Sequence, residues 1–191
     1  MKKLDTRTVA GLAVFSAVVI VLQLLGSFIR FGVFSVTLVL IPIVVGAALY
    51  GRGAGAWLGF VFGMAVLLSG DAMLFLGWDV FGTLVTVLVK GVLAGYCAAV
   101  AYRLLEEKDT LAATVCAAVV CPIVNTGVFA VCSLLFFYDD IAVYAANNGF
   151  TGSPLAFVLV GLIGLNFVFE LSFNVVLAPV IVRILKATRA V

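Results

Sequence analysis

The sequence contains no histidine, and only 10% of its 191 residues are charged. Without histidine, and with four cysteines that form no Cys-x-x-Cys pair, a zinc site is not expected. The cysteines are best interpreted as small apolar packing residues; they are Cys97, Cys116, Cys121 and Cys132. The net charge of +2 is too small to predict binding to nucleic acid.

Apolar residues make up 65% of the chain, whereas soluble domains contain roughly 45 to 50%. This excess predicts an integral membrane protein that is surrounded by a lipid bilayer. At about 20 residues per membrane span, the chain has room for about six helices with short loops. No length remains for a soluble ATPase domain, so any ATPase is expected to be a separate chain.

Six long apolar runs predict an all-α fold, a single bundle of six transmembrane helices over residues 1–191. The alternation of period two that a β-barrel requires is absent from these runs. The predicted spans cover approximately residues 9–29, 34–50, 53–70, 79–102, 110–138 and 154–183. The second span is expected to contain a short straight helix, because Pro42 interrupts it, and to complete the crossing with a re-entrant or extended segment.

The basic residues gather on one side of these six spans. That side contains Lys2, Lys3, Arg7, Arg52, Arg103, Lys108, Arg183, Lys186 and Arg189. The opposite side has Arg30 alone among basic residues, together with Asp71, Asp79, Asp139 and Asp140. Because cytoplasmic loops carry the excess of lysine and arginine, both termini are predicted to be cytoplasmic.

Two ionisable side chains, Lys90 and Glu170, lie inside apolar runs, each thirteen residues before an arginine that ends its run. At a rise of 1.5 Å per residue, both lie roughly 20 Å from the cytoplasmic face, near the centre of the bilayer. Charged groups at that depth usually face a bundle interior or a wet cavity. A membrane site for a solute is therefore the first hypothesis.

Other polar residues are predicted to join this site. Asn166, Glu170 and Asn174 recur every four residues and share one helix face, and Asn125 lies at a similar depth on the fifth span. Lys90, Asn125, Asn166, Glu170 and Asn174 are thus candidate substrate-binding residues, in a cavity between the last three spans. Phe34 and Trp78, in outer connections, are candidates to cap a ligand, although an interfacial aromatic belt explains such rings equally well.

A purely structural role for Lys90 and Glu170 remains an alternative. A buried ion pair between them would hold two helices in register without any contact to a ligand. Removing one partner of such a pair is strongly destabilising, whereas replacing both by apolar residues is often harmless. The double substitution of Lys90 and Glu170 therefore separates the two interpretations.

Small residues at helical spacing predict close helix packing. Gly51, Gly55, Gly59 and Gly63 form a repeated small-xxx-small pattern. Ala13 and Ala17 form a similar pair on the first span and suggest docking against another helix.

Several features occur in a characteristic order along the chain: Ile41-Pro42-Ile43, Gly46, Gly51, Gly55, Gly59, Lys90-Gly91, Gly95, Asn166, Glu170, Asn174 and Pro179. In this order, and with six spans, the chain resembles the substrate-binding S components of energy-coupling factor (ECF) transporters. It departs from the family at Gly51-Arg52, where that family often has Gly-Pro. This departure falls in a cytoplasmic turn, away from the predicted site.

The resemblance implies a multi-pass protein of a prokaryotic plasma membrane that binds a water-soluble vitamin or related micronutrient. It also implies partner proteins, a transmembrane coupling subunit and two ATPases that use the ATP, and no cofactor of its own. Family members dock through an Ala-x-x-x-Ala pattern on the first helix, which falls here on Ala13 and Ala17. Their substrate pocket is formed by the outer halves of helices four to six and the outer loops.

Lys90 suits a carboxylate or a phosphate, so a pantothenate-like acid is slightly favoured over riboflavin and other vitamins. A self-sufficient carrier or channel is the alternative function. A membrane-embedded enzyme is a weaker one, because the predicted spans offer one carboxylate and no histidine for catalysis. The expected function is that of a transporter subunit and not of an enzyme.

Overall fold

The computed structural model describes residues 6–28, 30–31, 34–35 and 38–189, with side chains for residues 6–28 and 38–188. Its helices are α1 Thr6–Gly26, α2 Leu40–Tyr50, α3 Arg52–Ser69, α4 Met73–Leu76, α5 Val80–Leu105, α6 Thr110–Phe136, α7 Tyr138–Asn147, α8 Pro154–Ala156, a π-helix Phe157–Ile163 and α9 Gly164–Arg189. Within these residues, α1, α3, α5, α6 and the continuous run from α8 to α9 are long and apolar enough to cross a membrane. The shorter apolar helix α2 joins these five, which gives a bundle of six.

The second span differs from the predicted range 34–50, because its helix begins only at Leu40. Pro42 explains this start, since proline is tolerated in the first turn of a helix but its ring clashes with the carbonyl of residue i−4 further in. Before α2, the short strands β1 Arg30–Phe31 and β2 Phe34–Ser35 pair antiparallel. The described residues of this segment are therefore extended, as the sequence analysis expected.

The outer connections contain more helix than the sequence predicted. The stretch 139–153, expected to be a loop, contains most of α7, and α4 lies between α3 and α5. The sixth run is interrupted by the π-helix Phe157–Ile163 before α9 continues to Arg189. A π-helical turn changes the direction in which the following side chains point, and such turns are frequent at functional sites.

An aspartate side chain caps the N-terminus of each of the helices α5 and α6. The side chain of Asp79 accepts hydrogen bonds from the backbone N–H groups of Phe81 and Gly82, at 3.0 and 2.9 Å, at the start of α5. Asp109 accepts from Leu111 at 2.8 Å at the start of α6. Both caps satisfy backbone donors that have no partner within the helix. They fix where each span begins, and thus the depth of the residues along it.

Helices α3 and α5 pack closely through glycine. A Cβ atom at Gly55 would collide with the carbonyl of Gly95, and one at Gly59 with the carbonyl of Gly91. A Cβ atom at Gly95 or Gly91 would in turn collide with the carbonyl of Gly55 or Gly59. The glycine rhythm predicted from the sequence is therefore the contact surface of α3 against α5. Because Lys90 adjoins Gly91, this contact also fixes the position of Lys90 in the bundle.

Candidate solute-binding site

A cavity of about 70 Å³ lies between the two hydrophobic cores of the bundle. Its wall comes from α1, α3, the connection from α3 to α5, α5, α6, the π-helix and α9. The lining residues are Gln23, Phe62, Val66, Asp71, Ala72, Phe75, Val87, Lys90, Asn125, Thr126, Phe129, Leu162, Ile163, Asn166, Phe167 and Glu170. The cavity thus has more walls than the three C-terminal spans that the sequence predicted.

Four of the predicted site residues meet at this cavity: Lys90, Asn125, Asn166 and Glu170. They come from α5, α6 and α9, which are separated in sequence and brought together by packing. Lys90 and Glu170 both line the same cavity within the bundle. Their assignment to substrate remains a prediction, but the common polar chamber on which it depended is present.

Of the other three predicted residues, Asn174 and Trp78 do not line the cavity. Asn174 is buried one turn beyond Glu170, and its side-chain amide donates to the backbone carbonyl of Glu170 at 2.8 Å. Trp78 lies behind Phe75, with ring centroids 5.1 Å apart, and Phe75 itself lines the cavity. The side chain of Phe34 lies outside the described residues. The four-residue spacing thus identified the helix face of the site, but Asn174 lies one turn beyond the part of that face that lines the cavity.

The ammonium of Lys90 lies over two aromatic rings. Its Nζ is 5.2 Å from the ring centroid of Phe129 and 5.8 Å from that of Phe62. The carboxylates of Glu170 and Asp71 line the same cavity. Ring faces and carboxylates both favour a cation, so these groups offset part of the cost of burying the ammonium away from water.

Glu170 is 3% exposed and is oriented by its own helix. The side-chain amide of Asn166, four residues earlier, donates to Oε1 of Glu170 at 3.2 Å. This pair presents a carboxylate and an amide from one helix face to the cavity, as the four-residue spacing predicted.

Two residues of the site were missed by the sequence analysis, Gln23 and Asp71. Gln23, on α1, is 2% exposed, and its Nε2 donates to Oδ2 of Asp71 at 2.7 Å and to Oγ of Ser69 at 3.3 Å. Asp71 had been treated only as an outer charge that defines orientation. A signal was available, because Gln23 is the one amide side chain in the first apolar run and polar residues within spans are usually functional.

Asn125 supplies an acceptor that has no partner among the described residues. Its side chain is 6% exposed, and its Oδ1 is buried without a hydrogen bond. A buried polar atom without a partner costs folding free energy, about 1–3 kcal/mol. In a residue that lines a cavity, such an atom is suited to accept a hydrogen bond from a ligand.

A cluster of aromatic rings covers the outer side of the cavity, and we call it the aromatic cap. Phe75 packs edge-on against Phe129, Phe137 and Trp78 at centroid distances of 5.6, 5.2 and 5.1 Å. Trp78 in turn contacts Tyr144 of α7 at 5.7 Å. The cap joins α4, α6 and α7 through these ring contacts.

The described residues contain no group of three His, Cys, Asp or Glu side chains that could hold a metal ion. The polar groups of the cavity are instead those of an organic ligand site, with one ammonium, two carboxylates, three amides and the hydroxyl of Thr126 among apolar and aromatic side chains. Mostly apolar walls with a few convergent polar groups are characteristic of small-molecule sites.

Comparison with protein families gives a match over residues 7–182, to the model described as ECF transporter, substrate-specific component. Comparisons with curated proteins and with solved structures gave no match. The matched region covers most of the bundle, up to residue 182 within α9, and all the residues of the cavity. This chain therefore belongs to the substrate-specific components of ECF transporters.

Proposed function

We propose that this protein captures a water-soluble vitamin or related micronutrient in the cavity between α1, α3, α5, α6 and α9, for ATP-driven uptake with a separate energising module. The observation that supports the proposal most strongly is the meeting of Lys90, Asn125, Asn166 and Glu170 at one chamber near the middle of an apolar bundle. As a family member, the chain is a transport subunit without its own ATPase or cofactor, and it is not an enzyme.

The size of the cavity constrains how the solute enters. Pockets that enclose drug-sized ligands have volumes of about 300–1,000 Å³, whereas this cavity has about 70 Å³. A vitamin-sized solute therefore requires an outward movement of the aromatic cap. We infer that the cap opens to the outside and closes over the solute, with Phe75 and Trp78 as its central rings.

The pantothenate-like acid that the sequence favoured depends on Lys90 as the one charged basic group of the site. The structure adds the carboxylate of Asp71 to the wall, which the sequence analysis had not placed there. Lys90 still offers a counter-charge to an acid, and Asp71 and Glu170 offer acceptors to N–H groups, so the pantothenate-like acid remains a proposal.

We propose that the energising module, a transmembrane coupling subunit with two ATPases, docks on α1. Ala13 and Ala17 are exposed and line an apolar groove together with Leu12, Tyr50 and Trp57. Trp57 of α3 donates from Nε1 to Oγ of Ser16 at 3.1 Å, which holds α1 against α3 beside the groove. Small side chains permit close approach of a partner helix.

Transport assays with and without the module test this function. Cells that express the chain together with an ECF module should accumulate the solute that mass spectrometry identifies on the purified protein. Cells that express the chain alone should bind the solute without accumulating it. Accumulation in liposomes that contain only this chain would instead support a self-sufficient carrier.

A further inference from the structure

The side-chain oxygen of Asn125 cannot be satisfied by the helix that carries it. Asn125 lies in the interior of α6, where the backbone N–H groups are bonded to carbonyls one turn earlier. A side-chain donor in such a helix can still share a carbonyl, which has two lone pairs. A side-chain oxygen that accepts finds no free N–H there, so it depends on another element, on water or on a ligand.

Several other buried polar side chains show this difference between donors and acceptors. The hydroxyls of Thr83 and Thr114 donate to carbonyls four residues earlier, at 2.6 and 2.7 Å, and the amide of Asn174 does so at 2.8 Å. Oδ1 of Asn125 is buried and has no hydrogen-bond partner among the described residues. Of the buried atoms without a partner in the described part of the chain, it is the one whose residue lines the cavity. Its donor is therefore expected from the content of the cavity.

The two carboxylates of the cavity already accept hydrogen bonds from the wall. Oδ2 of Asp71 accepts from Gln23 at 2.7 Å. Oε1 of Glu170 accepts from Asn166 at 3.2 Å. Leaving a buried acceptor without a donor costs more free energy than an average hydrogen bond contributes. A donor group of the solute therefore stabilises the complex most at Asn125.

An ammonium group lies close to Asn125 on the cavity wall. Phe129 follows Asn125 by four residues on α6, so the two side chains share a helix face one turn apart. Nζ of Lys90 is 5.2 Å from the ring centroid of Phe129, and an ammonium carries three N–H donors. A solute group at this place meets a donor in Lys90 and an acceptor in Asn125. A trans amide can contact both, because its C=O and N–H point in opposite directions.

We propose that the site recognises an amide-type group of the solute, in which the carbonyl accepts from Lys90 and the N–H donates to Oδ1 of Asn125. The class comprises secondary amides and ureido compounds, in acids as well as in neutral molecules. The inference rests on the proposed function, because it concerns the solute of the same chamber. An ester in the same place keeps the carbonyl but leaves Oδ1 of Asn125 without a donor, so affinity is lost.

Two substitutions remove the acceptor of Asn125. Asn125→Ala truncates the side chain, and Asn125→Leu replaces it with an apolar side chain of similar volume, which keeps the measurement possible where truncation impairs folding. Ser133→Ala is the matched control on the same helix. It removes a buried hydroxyl that is likewise without a partner among the described residues, but Ser133 does not line the cavity.

Two pairs of probes exchange an amide N–H for an ester oxygen and keep the other heavy atoms. The neutral pair is N-methylnicotinamide, with its methyl group on the amide nitrogen, and methyl nicotinate. The acidic pair is pantothenate and its ester analogue, 3-(pantoyloxy)propionate. Dissociation constants are determined by isothermal titration calorimetry on the purified full-length protein, in wild type and in each variant. Differences in hydration between amide and ester cancel, because every protein is measured with the same pair.

The wild-type protein is expected to bind at least one of the two amides, and about tenfold more tightly than its ester partner. Asn125→Ala and Asn125→Leu should bring this ratio close to one, while Ser133→Ala should leave it as in wild type. The proposal is overturned if the wild-type protein binds the esters as tightly as the amides, if the ratio survives the loss of Asn125, or if neither amide binds at about 10 mM.

Lys90→Met tests the contact with the carbonyl. Both members of a pair have this carbonyl, so the variant should weaken the binding of both, by about tenfold or more for a hydrogen bond to a charged group. Unchanged affinities would show that the ammonium does not contact the solute, and would overturn the assignment of the carbonyl.

Binding and uptake separate this inference from the proposed function. An amide preference that depends on Asn125, without module-dependent uptake, would contradict the transport role and leave the recognised group intact. Module-dependent uptake of a solute whose binding does not depend on Asn125 would contradict this inference alone.

Discussion

At the scale of single residues, we expect the site to contain groups that serve binding more than stability. Asn125 is the clearest example, because its buried Oδ1 has no partner in the described part of the chain. Folding gains nothing from such an atom, and removing it is neutral or stabilising when the replacement fills the same space. Stability and binding should therefore respond in opposite directions to its substitution.

The first prediction follows from this difference. Asn125→Leu should leave the thermal unfolding midpoint unchanged or raise it, while the affinity for the tightest-binding probe falls about tenfold, the loss expected for one hydrogen bond of about 1.4 kcal/mol. Thermal unfolding and calorimetric titration measure the two effects.

Ser133→Ala is the control for Asn125→Leu. The hydroxyl of Ser133 is also buried without a partner among the described residues, but it does not line the cavity. This variant should keep full affinity. Equal losses of affinity in the two variants would show that Asn125 does not contact the solute.

The second prediction concerns Lys90 and Glu170. Lys90→Met should lower the unfolding midpoint, because two carboxylates then lose their counter-charge, while the methionine still fills the space against Phe62 and Phe129. Adding Glu170→Leu to Lys90→Met should restore part of the lost thermal stability, seen as a higher unfolding midpoint, without restoring solute binding. If the double variant binds the solute as well as wild type, the pair is purely structural and our site assignment is wrong.

At the scale of the elements, the packing of α3 against α5 is the firmest part of the bundle. Their glycines allow backbone to contact backbone, and substitution by alanine places Cβ atoms onto opposing carbonyls. The sequence indicated this contact through the regular glycine spacing. It did not indicate α7 or the π-helix, because both lie in segments whose conformation depends on contacts with other elements.

The third prediction tests this packing. Gly95→Ala should destabilise the bundle by about 1–3 kcal/mol, because overpacking forces the two helices apart. Unfolding in denaturant measures the change. Gly127→Ala is the control, since a Cβ at Gly127 meets no atom within 4 Å and the helix gains a better helix-forming residue. Similar losses at both positions would contradict the close contact of α3 and α5.

The short helix α2 shows how far a single residue determines an element. Pro42 was recognised as an interruption, and it lies in the first turn of α2, where proline is tolerated. The bounds of α5 and α6 lie close to those predicted because Asp79 and Asp109 cap them locally. Where a cap or a proline acts, the sequence predicts the boundary.

At the scale of the whole molecule, α1 has two roles in our proposal. Its outward face presents Ala13 and Ala17 to the energising module, while its buried Gln23 contacts Asp71 in the wall of the cavity. The same helix is thus in contact with the site and available to a partner. A change at the docking face should affect uptake and leave solute binding intact.

The fourth prediction separates these roles. Ala13→Leu combined with Ala17→Leu should abolish copurification with the module and reduce uptake to background, because the larger side chains fill the groove. Dissociation constants for the probes should stay within twofold of wild type. Ala112→Leu, on an exposed position of α6, should change neither property. Normal uptake in the double variant would exclude this face as the docking site.

The sequence by itself determined that the chain is a membrane bundle, and it predicted a common depth for Lys90 and Glu170. These properties follow from apolar run lengths and from the rise of a helix, which are local quantities. Only the tertiary structure decided which polar residues meet. The contact of Gln23 with Asp71 joins residues 48 positions apart, and such a contact depends on how helices rotate and pack against one another, which no local pattern specifies.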